Sequence, residues 1–227
     1  MMKATPDELL KIITNRESGS SEGRLKIFLG MVAGVGKTYS MLTNAHDLKK
    51  NGIDVVVGYI ETHGRKETEA LLAGLEIVPR KGILYKEKTF YEMDTDAIIK
   101  RAPHLVLVDE IAHTNIPGSR HLKRYQDVEE ILASGISVYS TLNIQHIESL
   151  ADTVREITNI EIREKIPDSI IDRSNEIVLI DLAPGQVIDR LNAGKIYSPE
   201  KIQQSLGNFF SKGNLTALRE LSLRLLA

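Results

Sequence analysis

Short apolar runs rich in β-branched residues alternate with helical segments along this chain, and this alternation constrains the fold most strongly. The predicted strands are residues 25–29, 53–60, 105–108, 136–141 and 177–180. The predicted helices are residues 37–50, 66–74, 94–101, a segment ending at 128–133, and 145–157. Strands and helices that alternate in this way are typical of βαβ units. The pattern predicts an α/β fold with a mostly parallel sheet and helices on both faces.

Three segments lie outside this alternation. Residues 1–22 are predicted to form a short N-terminal helix and a flexible linker, because a Thr-Pro-Asp-Glu start precedes apolar residues and a Ser/Gly-rich stretch follows. Residues 76–85 are ambiguous and are predicted to be a loop with a short strand. The tail at 199–226 reads as extra C-terminal helices. We therefore expect one main domain at 23–227.

The composition excludes several classes of protein. The 227 residues carry a net charge of −2, so the chain lacks the excess of basic residues that is typical of a nucleic-acid-binding domain. The chain has no cysteine, so disulfides and thiolate zinc sites are excluded, and a reducing cytosol is compatible with this. No apolar run approaches the roughly 20 residues that span a bilayer. The charged N-terminus is unlike a secretory signal.

A glycine-rich loop, GMVAGVGKT at residues 30–38, joins the first predicted strand to the first predicted helix. Glycines allow backbone conformations in which several N–H groups face one anion, and the helix N-terminus adds its positive end. Position and composition predict a phosphate-binding loop of the P-loop NTPase type. The residues expected to bind the nucleotide are Ala33, Gly34, Val35, Gly36, Lys37, Thr38 and Tyr39.

The match to the G-x-x-x-x-G-K-[ST] motif is imperfect. The first glycine should fall at Met31 but stands at Gly30, and Gly34 adds a glycine inside the loop. AGVGKT is closer to a variant P-loop, although the signature lysine of that variant falls at Val32. Lys37 is expected to reach the β- and γ-phosphates of the nucleotide and to be exposed when the loop is empty. The Thr38 hydroxyl is expected to bind Mg²⁺.

An acidic pair follows the strand at 105–108. Asp109 would stand at the carboxyl end of that strand, where open α/β sheets bind ligands, and is the second candidate for holding Mg²⁺. Glu110 is a candidate for polarising a water molecule for attack on the γ-phosphate. A strand-end carboxylate that caps the next segment, and a solvated surface acid, are the alternatives for the two residues.

Polar side chains also follow the other predicted strands. Because the carboxyl ends of parallel strands meet at one edge, we expect these residues to gather near the nucleotide and to sense the γ-phosphate or a second ligand. They are Glu61, His63, Arg65, His113, Asn143 and His146. A metal site built from the three histidines is the rival interpretation, although their spacing matches no metal motif. Histidines that satisfy loop backbone groups are the third interpretation.

A basic loop, IPGSRHLKRY at residues 116–125, comes after the acidic pair. It is a candidate switch that becomes ordered when a γ-phosphate is present. Arg120 or Arg124 would then contact phosphate in place or be presented to a neighbouring molecule. A solvated basic surface loop is the alternative.

Several long blocks together resemble one family. The blocks are GMVAGVGKT, GYIETHGRKETEALLAGLEIVPRK, LVLVDEIAHTNIPGSRHLKRYQDVEEIL, YSTLNIQHIESL and GNLTALREL. They look like the N-terminal cytoplasmic domain of the KdpD family, the membrane-bound sensor histidine kinases that control a high-affinity potassium uptake system. The resemblance runs from about residue 23 to the C-terminus, and it includes the displaced glycine.

The resemblance implies a regulatory ATP-binding domain in which nucleotide occupancy tunes kinase and phosphatase output. It implies partners in the same protein, namely a stress-protein-like domain and a kinase core, a cytoplasmic location, and membrane attachment only through the parent protein. A homodimer is a further partner to consider. This segment has no kinase ATP-lid motif, so it is not expected to be a complete histidine kinase by itself. As a binding module it is expected to hydrolyse ATP slowly or not at all. The residues do not decide between an excised fragment and a short stand-alone form.

Two other functions stay open. Asp109 and Glu110 after a strand also resemble a segment of one class of thymidine kinases, but that class usually carries a cysteine-rich zinc ribbon. A free-standing ATPase that pairs with itself is the second alternative, and Val32 in place of the signature lysine disfavours it. Transfer of phosphate to nucleosides would support the first alternative, and ATP-dependent dimerisation would support the second.

Overall fold

The computed structural model describes residues 22–196 and 209–227. Within these residues, six strands form one sheet and two strands form a separate hairpin. The sheet contains β1 (Leu25–Gly30), β2 (Val55–Tyr59), β3 (Glu76–Ile77), β6 (Leu105–Val108), β7 (Ser137–Asn143) and β8 (Glu176–Leu179). The hairpin contains β4 (Lys81–Tyr85) and β5 (Lys88–Glu92).

The helices lie between these strands, as the alternating pattern predicted. They are α1 (Lys37–Lys50), α2 (Lys66–Ala70), α3 (Thr95–Arg101), α4 (Arg124–Ala133), α5 (Ala151–Thr158), α6 (Ser169–Asp172), α7 (Pro184–Asn192) and α8 (Lys212–Leu225). Two 3₁₀ turns, Ile144–His146 and Glu148–Leu150, replace the start of the helix predicted at 145–157. The sequence pattern did not predict α6 and α7.

The strands of the sheet follow the order β3-β2-β6-β7-β1-β8, and every pair is parallel. The predicted parallel α/β fold is therefore confirmed. β7 lies between β1 and β6, with Asn143 opposite Gly30 and Ser140 opposite Val108. The carboxyl ends of these three strands consequently lie side by side, at the edge where a parallel α/β sheet offers a ligand site.

Apolar residues on both faces of each strand explain why helices cover the sheet on two sides. On β1, Phe28 packs with α1, whereas Ile27 and Leu29 belong to the opposite core. β6 alternates in the same way, because successive side chains of a strand point to opposite faces. α1 and the end of α2 cover one face, while α3, α4, α5, α7 and α8 cover the other.

The antiparallel hairpin replaces the ambiguous segment predicted around 76–85. Its two-residue turn consists of Lys86 and Glu87, which both have positive φ, 48° and 63°. Turns of this kind strongly favour Asn-Gly or Asp-Gly, so the sequence carried none of the usual hairpin signal. Residues 76–85, where a loop with one short strand was predicted, contain two strands, β3 and β4.

The structure describes part of the predicted C-terminal helical tail but almost none of the predicted N-terminal helix and linker. The N-terminal helix and linker predicted at 1–22 lie outside the described residues, except for Glu22, which is a bend. Of the helical tail predicted at 199–226, the described part is α8, which packs against α7 and α5. Among the described helices, none combines the length and the apolar character needed to cross a bilayer.

Candidate phosphate-binding site

The glycine-rich loop occupies residues 31–36, between β1 and α1. Gly34 and Gly36 have φ of 86° and 106°, in the left-handed region that favours glycine. Gly36 is the N-cap of α1, and in the described structure no side chain caps this helix. Its first N–H groups are therefore directed at the loop without a side-chain acceptor, which suits an anion.

The displaced glycine has a packing reason. A Cβ atom placed on Gly30 would lie 2.5 Å from the Val35 Cγ2 atom, a distance that real contacts do not reach. The loop therefore folds back so closely on the end of β1 that a side chain at this position would force Val35 to move. Met31, which stands where the common motif has glycine, is buried instead.

Lys37 is buried, with 8% of the residue exposed, and its Nζ atom donates to the Val32 carbonyl oxygen at 3.0 Å. The prediction that Lys37 is exposed in the empty loop is therefore wrong. Burial lowers the pKa of the Lys37 ammonium to about 8, and Arg65 acts in the same direction, while Asp109 and Glu110 oppose it. The loop thus holds a cation whose solvation is incomplete, and an anion would improve it.

Thr38 and Asp109 face each other across the sheet edge. The Thr38 hydroxyl lies 3.2 and 3.1 Å from the two Asp109 carboxylate oxygens. The Thr141 hydroxyl at the end of β7 also donates to Asp109, and the Glu61 N–H donates at 3.3 Å. Burial raises the pKa of the Asp109 carboxyl, although these hydrogen bonds oppose the rise. Thr38 and Asp109 are thus placed as neighbouring oxygen donors beside the loop.

Glu110 and His63 form a second pair above this edge. The His63 Nε2 and Glu110 Oε1 atoms are 3.3 Å apart, and the Glu110 N–H donates to the Thr141 hydroxyl at 3.0 Å. The hydrogen bond raises the pKa of His63 and lowers the pKa of Glu110. Both residues have positive φ, 52° and 55°, a conformation that is uncommon outside glycine and tends to occur at functional sites.

A cavity of about 120 Å³ opens between the loop and these pairs. It brings together most of the polar residues that the strand ends predicted. Besides Gly34, Gly36, Lys37, Thr38, Asp109 and Glu110, its lining includes His63, Arg65, His113, Asn143 and His146. Glu61 adjoins it through its backbone contact to Asp109, and its carboxylate faces Tyr59 and Arg80. The expected gathering of polar residues at one edge is present.

Two of the histidines in the cavity wall are held by other residues. The His113 Nε2 atom lies 3.1 Å from Glu92, and the His146 Nδ1 atom lies 2.7 Å from the Glu164 carbonyl oxygen. Burial lowers the pKa of His146, which favours its neutral form. The described residues contain no group of three His, Cys, Asp or Glu side chains arranged to hold a metal ion, so the three-histidine metal site gains no support.

The basic loop does not bring its arginines to the cavity. The Arg120 guanidinium pairs with Asp96 and with Glu130, whose Oε2 atom lies 2.7 Å from the Arg120 Nε atom. Arg124 is fully buried and is 3.8 Å from the Tyr59 ring centre. Its Nη1 atom donates to the Asp109 carbonyl oxygen at 3.0 Å. Neither arginine is therefore placed to contact a phosphate in the cavity, because acidic side chains and backbone carbonyl groups already bind both guanidinium groups.

Three residues of the site were missed by the sequence reading. Thr141 lies within a buried strand and gives no motif, and Glu164 follows in a segment without regular structure. Arg190, near the end of α7, donates from Nη1 to the Gly34 carbonyl oxygen at 2.9 Å. Since these contacts join positions far apart in sequence, only the fold reveals them.

Comparisons with known proteins identify the family of this chain. A family model described as KdpD, osmosensitive K⁺ channel His kinase sensor domain, matches residues 21–227. A putative sensor protein KdpD of Synechocystis is 54% identical over 202 residues, 89% of this chain and 55% of that protein. The sensor protein KdpD of Escherichia coli is 47% identical over 223 residues, 98% of this chain and 24% of that protein. The sensor protein KdpD of Clostridium acetobutylicum is 48% identical over 219 residues, 96% of this chain and 24% of that protein.

The chain spans about half the length of the first of these relatives and about a quarter of the other two. The family match covers almost the whole chain, and the three relatives agree with it. This chain belongs to the KdpD family of His kinase sensor domains.

Proposed function

We propose that this domain binds ATP with Mg²⁺ at the loop that precedes α1. The observation that carries the proposal is the Thr38 hydroxyl within 3.2 Å of both Asp109 oxygens, beside the buried Lys37 ammonium. Phosphate-binding loops use a lysine for the β- and γ-phosphates, a hydroxyl for Mg²⁺ and a strand-end aspartate for the same ion. The three residue types stand here in the same relation.

The lining of the narrow cavity fits such a ligand. The Asn143 Oδ1 atom is buried and has no hydrogen-bond partner among the described atoms, although Asn143 lines the cavity. A buried polar atom without a partner is costly, and a ligand group or its water would satisfy it. When bound, Mg²⁺ would neutralise phosphate oxygens, with Thr38 and Asp109 as its protein contacts.

The residues near the γ-phosphate position favour sensing over rapid hydrolysis. His63 engages Glu110 at 3.3 Å, so the carboxylate that would polarise water is already in a hydrogen bond. We infer that hydrolysis is slow and that His63, Arg65, His113, Asn143 and His146 respond to the terminal phosphate. A ligand shifts a conformational balance only by its different affinity for the two states, and a cluster of polar and charged side chains at the phosphate end would supply such a difference.

We further propose that nucleotide occupancy tunes the kinase and phosphatase output of a potassium-responsive sensor kinase, with this domain on the cytoplasmic side of the membrane. The support is the family match and the relatives named as sensor proteins, of which this chain corresponds to a part. The partners would be other domains of the same protein, among them a stress-protein-like domain and the kinase core.

Calorimetric titration with ATP and Mg²⁺ tests the binding step. Lys37→Ala should abolish most of the affinity, whereas Lys88→Ala, which removes an exposed lysine of the hairpin, should leave it unchanged. Glu110→Gln should bind nearly as well as the unmodified domain. Equal affinity of a folded Lys37→Ala variant and the unmodified domain would refute the assignment of the loop.

A further inference from the structure

A second and wider cavity adjoins the phosphate-binding loop. It measures about 600 Å³ and lies on the outer side of the loop, between residues 63–68 and residues 190–196. Gly34, Gly36, Thr38, His63 and Arg65 line both cavities, so the two spaces meet at the loop. The wide cavity falls in the range of small-molecule sites, roughly 300–1,000 Å³, whereas the narrow one suits only phosphate groups and a cation.

Arg190 forms part of the wall of this wide cavity and lies along the loop. Its Nη1 atom donates to the Gly34 carbonyl oxygen at 2.9 Å, and the same atom is 3.7 Å from the position of a Cβ on Gly36. Arg190 is otherwise exposed. A planar guanidinium held at one edge in this way presents a flat surface, on which aromatic rings stack favourably.

Ile196 and Tyr39 supply apolar surface to the same cavity. Ile196 is buried against the loop, so closely that a Cβ on Gly34 would lie 2.3 Å from its Cδ1 atom. Tyr39 follows the Mg²⁺-binding candidate Thr38 directly and is 41% exposed. Lys195 reaches Glu67 at 3.6 Å and so joins the two walls. An aromatic ring, a flat cation and an aliphatic side chain therefore surround one space beside the phosphates.

We propose that the wide cavity holds the nucleoside of the triphosphate, with its base packed against Arg190 and Tyr39. The inference rests on the proposed function, because it requires the phosphates to lie in the narrow cavity. Lys37, and Asp109 through Mg²⁺, would hold the phosphate end in the narrow cavity, and the remainder of the ligand would then extend across the loop toward residues 190–196. The domain consequently selects nucleoside triphosphates over inorganic polyphosphates with the same number of phosphate groups.

The test compares ATP with inorganic tripolyphosphate, each with Mg²⁺, by calorimetric titration. The unmodified domain should bind ATP about tenfold or more tightly than tripolyphosphate, because base stacking on aromatic or guanidinium surfaces contributes on that scale. Tyr39→Ala and Arg190→Met should bring the ratio of the two affinities close to one. The ratio is the readout, since loss of the Arg190–Gly34 hydrogen bond weakens both ligands. Lys88→Met is the matched control and should keep the full ratio.

The outcomes separate the two proposals. If tripolyphosphate binds but the ratio is unchanged in both variants, the nucleoside cavity is refuted while the phosphate loop stands. Weakening of ATP and tripolyphosphate by the same factor also leaves the ratio unchanged and refutes the inference in the same way, because loss of the Arg190–Gly34 hydrogen bond alone would produce it. If the unmodified domain binds neither ligand, the proposed function itself fails.

Discussion

The His63 imidazole and the Glu110 carboxylate meet at 3.3 Å, and each is carried by a residue with left-handed backbone. The two residues lie in the loops that follow β2 and β6, which are adjacent strands of the sheet. A left-handed conformation costs a residue with a side chain roughly 1–3 kcal/mol unless the surroundings compensate. The hydrogen bond between the two side chains therefore helps to offset the cost of two left-handed residues beside the cavity.

The stability that is lost when His63 is replaced should depend on pH in a defined way. The raised pKa of His63 stabilises the fold fully below its ordinary value of 6.5, and this contribution is lost as pH rises through the folded value. The lowered pKa of Glu110 stabilises above 4.5, and that contribution is lost as pH falls through the folded value. His63→Asn, which tolerates left-handed backbone, should thus cost about 0.5 kcal/mol at pH 5.5.

Urea denaturation at pH 5.5 and pH 9 measures this difference. The cost should disappear at pH 9, where His63 is neutral. The value is small because both side chains are nearly half exposed. A cost that is the same at both pH values would mean that backbone conformation, and not the ion pair, sets the effect.

Nucleotide binding should take up a proton above pH 8. Lys37 has a pKa of about 8 in the empty loop, mainly because it is buried, and it must be charged to pair with phosphate. We expect the affinity for ATP to be independent of this group below pH 8 and to fall by up to tenfold per pH unit above it. Calorimetry at pH 8.5 in two buffers of different ionisation enthalpy counts the protons. Equal heats in both buffers would contradict the expectation, and Lys88→Met, which changes an exposed lysine of the hairpin, is the control that should show the same uptake.

Asp109→Asn should separate stability from Mg²⁺ binding. Because burial raises the pKa of Asp109, its ionised form reduces stability at neutral pH, and the loss diminishes as pH falls. An amide keeps partners for Thr38 and Thr141 without the charge. The variant should melt at the same or a higher temperature than the unmodified domain at pH 7, yet lose the gain in ATP affinity that Mg²⁺ provides. Titration with Mg²⁺ and with EDTA checks this, and a retained Mg²⁺ effect would remove Asp109 from the metal site.

Arg120→Ala should leave ATP affinity within about twofold of the unmodified domain. Its guanidinium already pairs with Glu130 and Asp96, away from the cavity that Lys37 and Asp109 line. Each of these side chains is partly exposed, so the stability change should also be small. A tenfold loss of affinity in calorimetry would show that the loop around Arg120 moves to the phosphate on binding.

The local sequence pattern predicted the sheet and the glycine-rich loop of the candidate site, because both can be recognised from residues that are neighbours in sequence. Buried strands read as apolar runs, and a loop with Gly34, Gly36 and Lys37 has few other uses. The burial of Lys37 could not be predicted, because its ammonium group binds the backbone carbonyl of Val32 and no sequence motif records such a contact. The role of Arg124 also escaped, because a basic loop in sequence looks the same whether its arginines point to water or into the core.

Arg124 ties the acidic pair to the hairpin and should be the most sensitive of these positions. Its guanidinium is inaccessible to solvent and donates to the Asp109 carbonyl oxygen at 3.0 Å and to Glu92 at 3.2 Å. Arg124→Met would leave the buried Glu92 carboxylate with less compensation, and breaking a buried ion pair on one side costs about 3–5 kcal/mol. Urea denaturation at pH 7 measures the loss.

The double variant Glu92→Gln, Arg124→Met provides the control. Removing both charges deletes the unpaired carboxylate, so part of the stability should return, because replacing both partners of a buried pair costs far less than removing one. Glu92 also accepts from the Ile116 N–H at 3.0 Å, and the glutamine oxygen can keep that bond. A double variant that is less stable than Arg124→Met would show that Glu92 stabilises the hairpin independently of Arg124, and the link from the hairpin to Asp109 would then be dismissed.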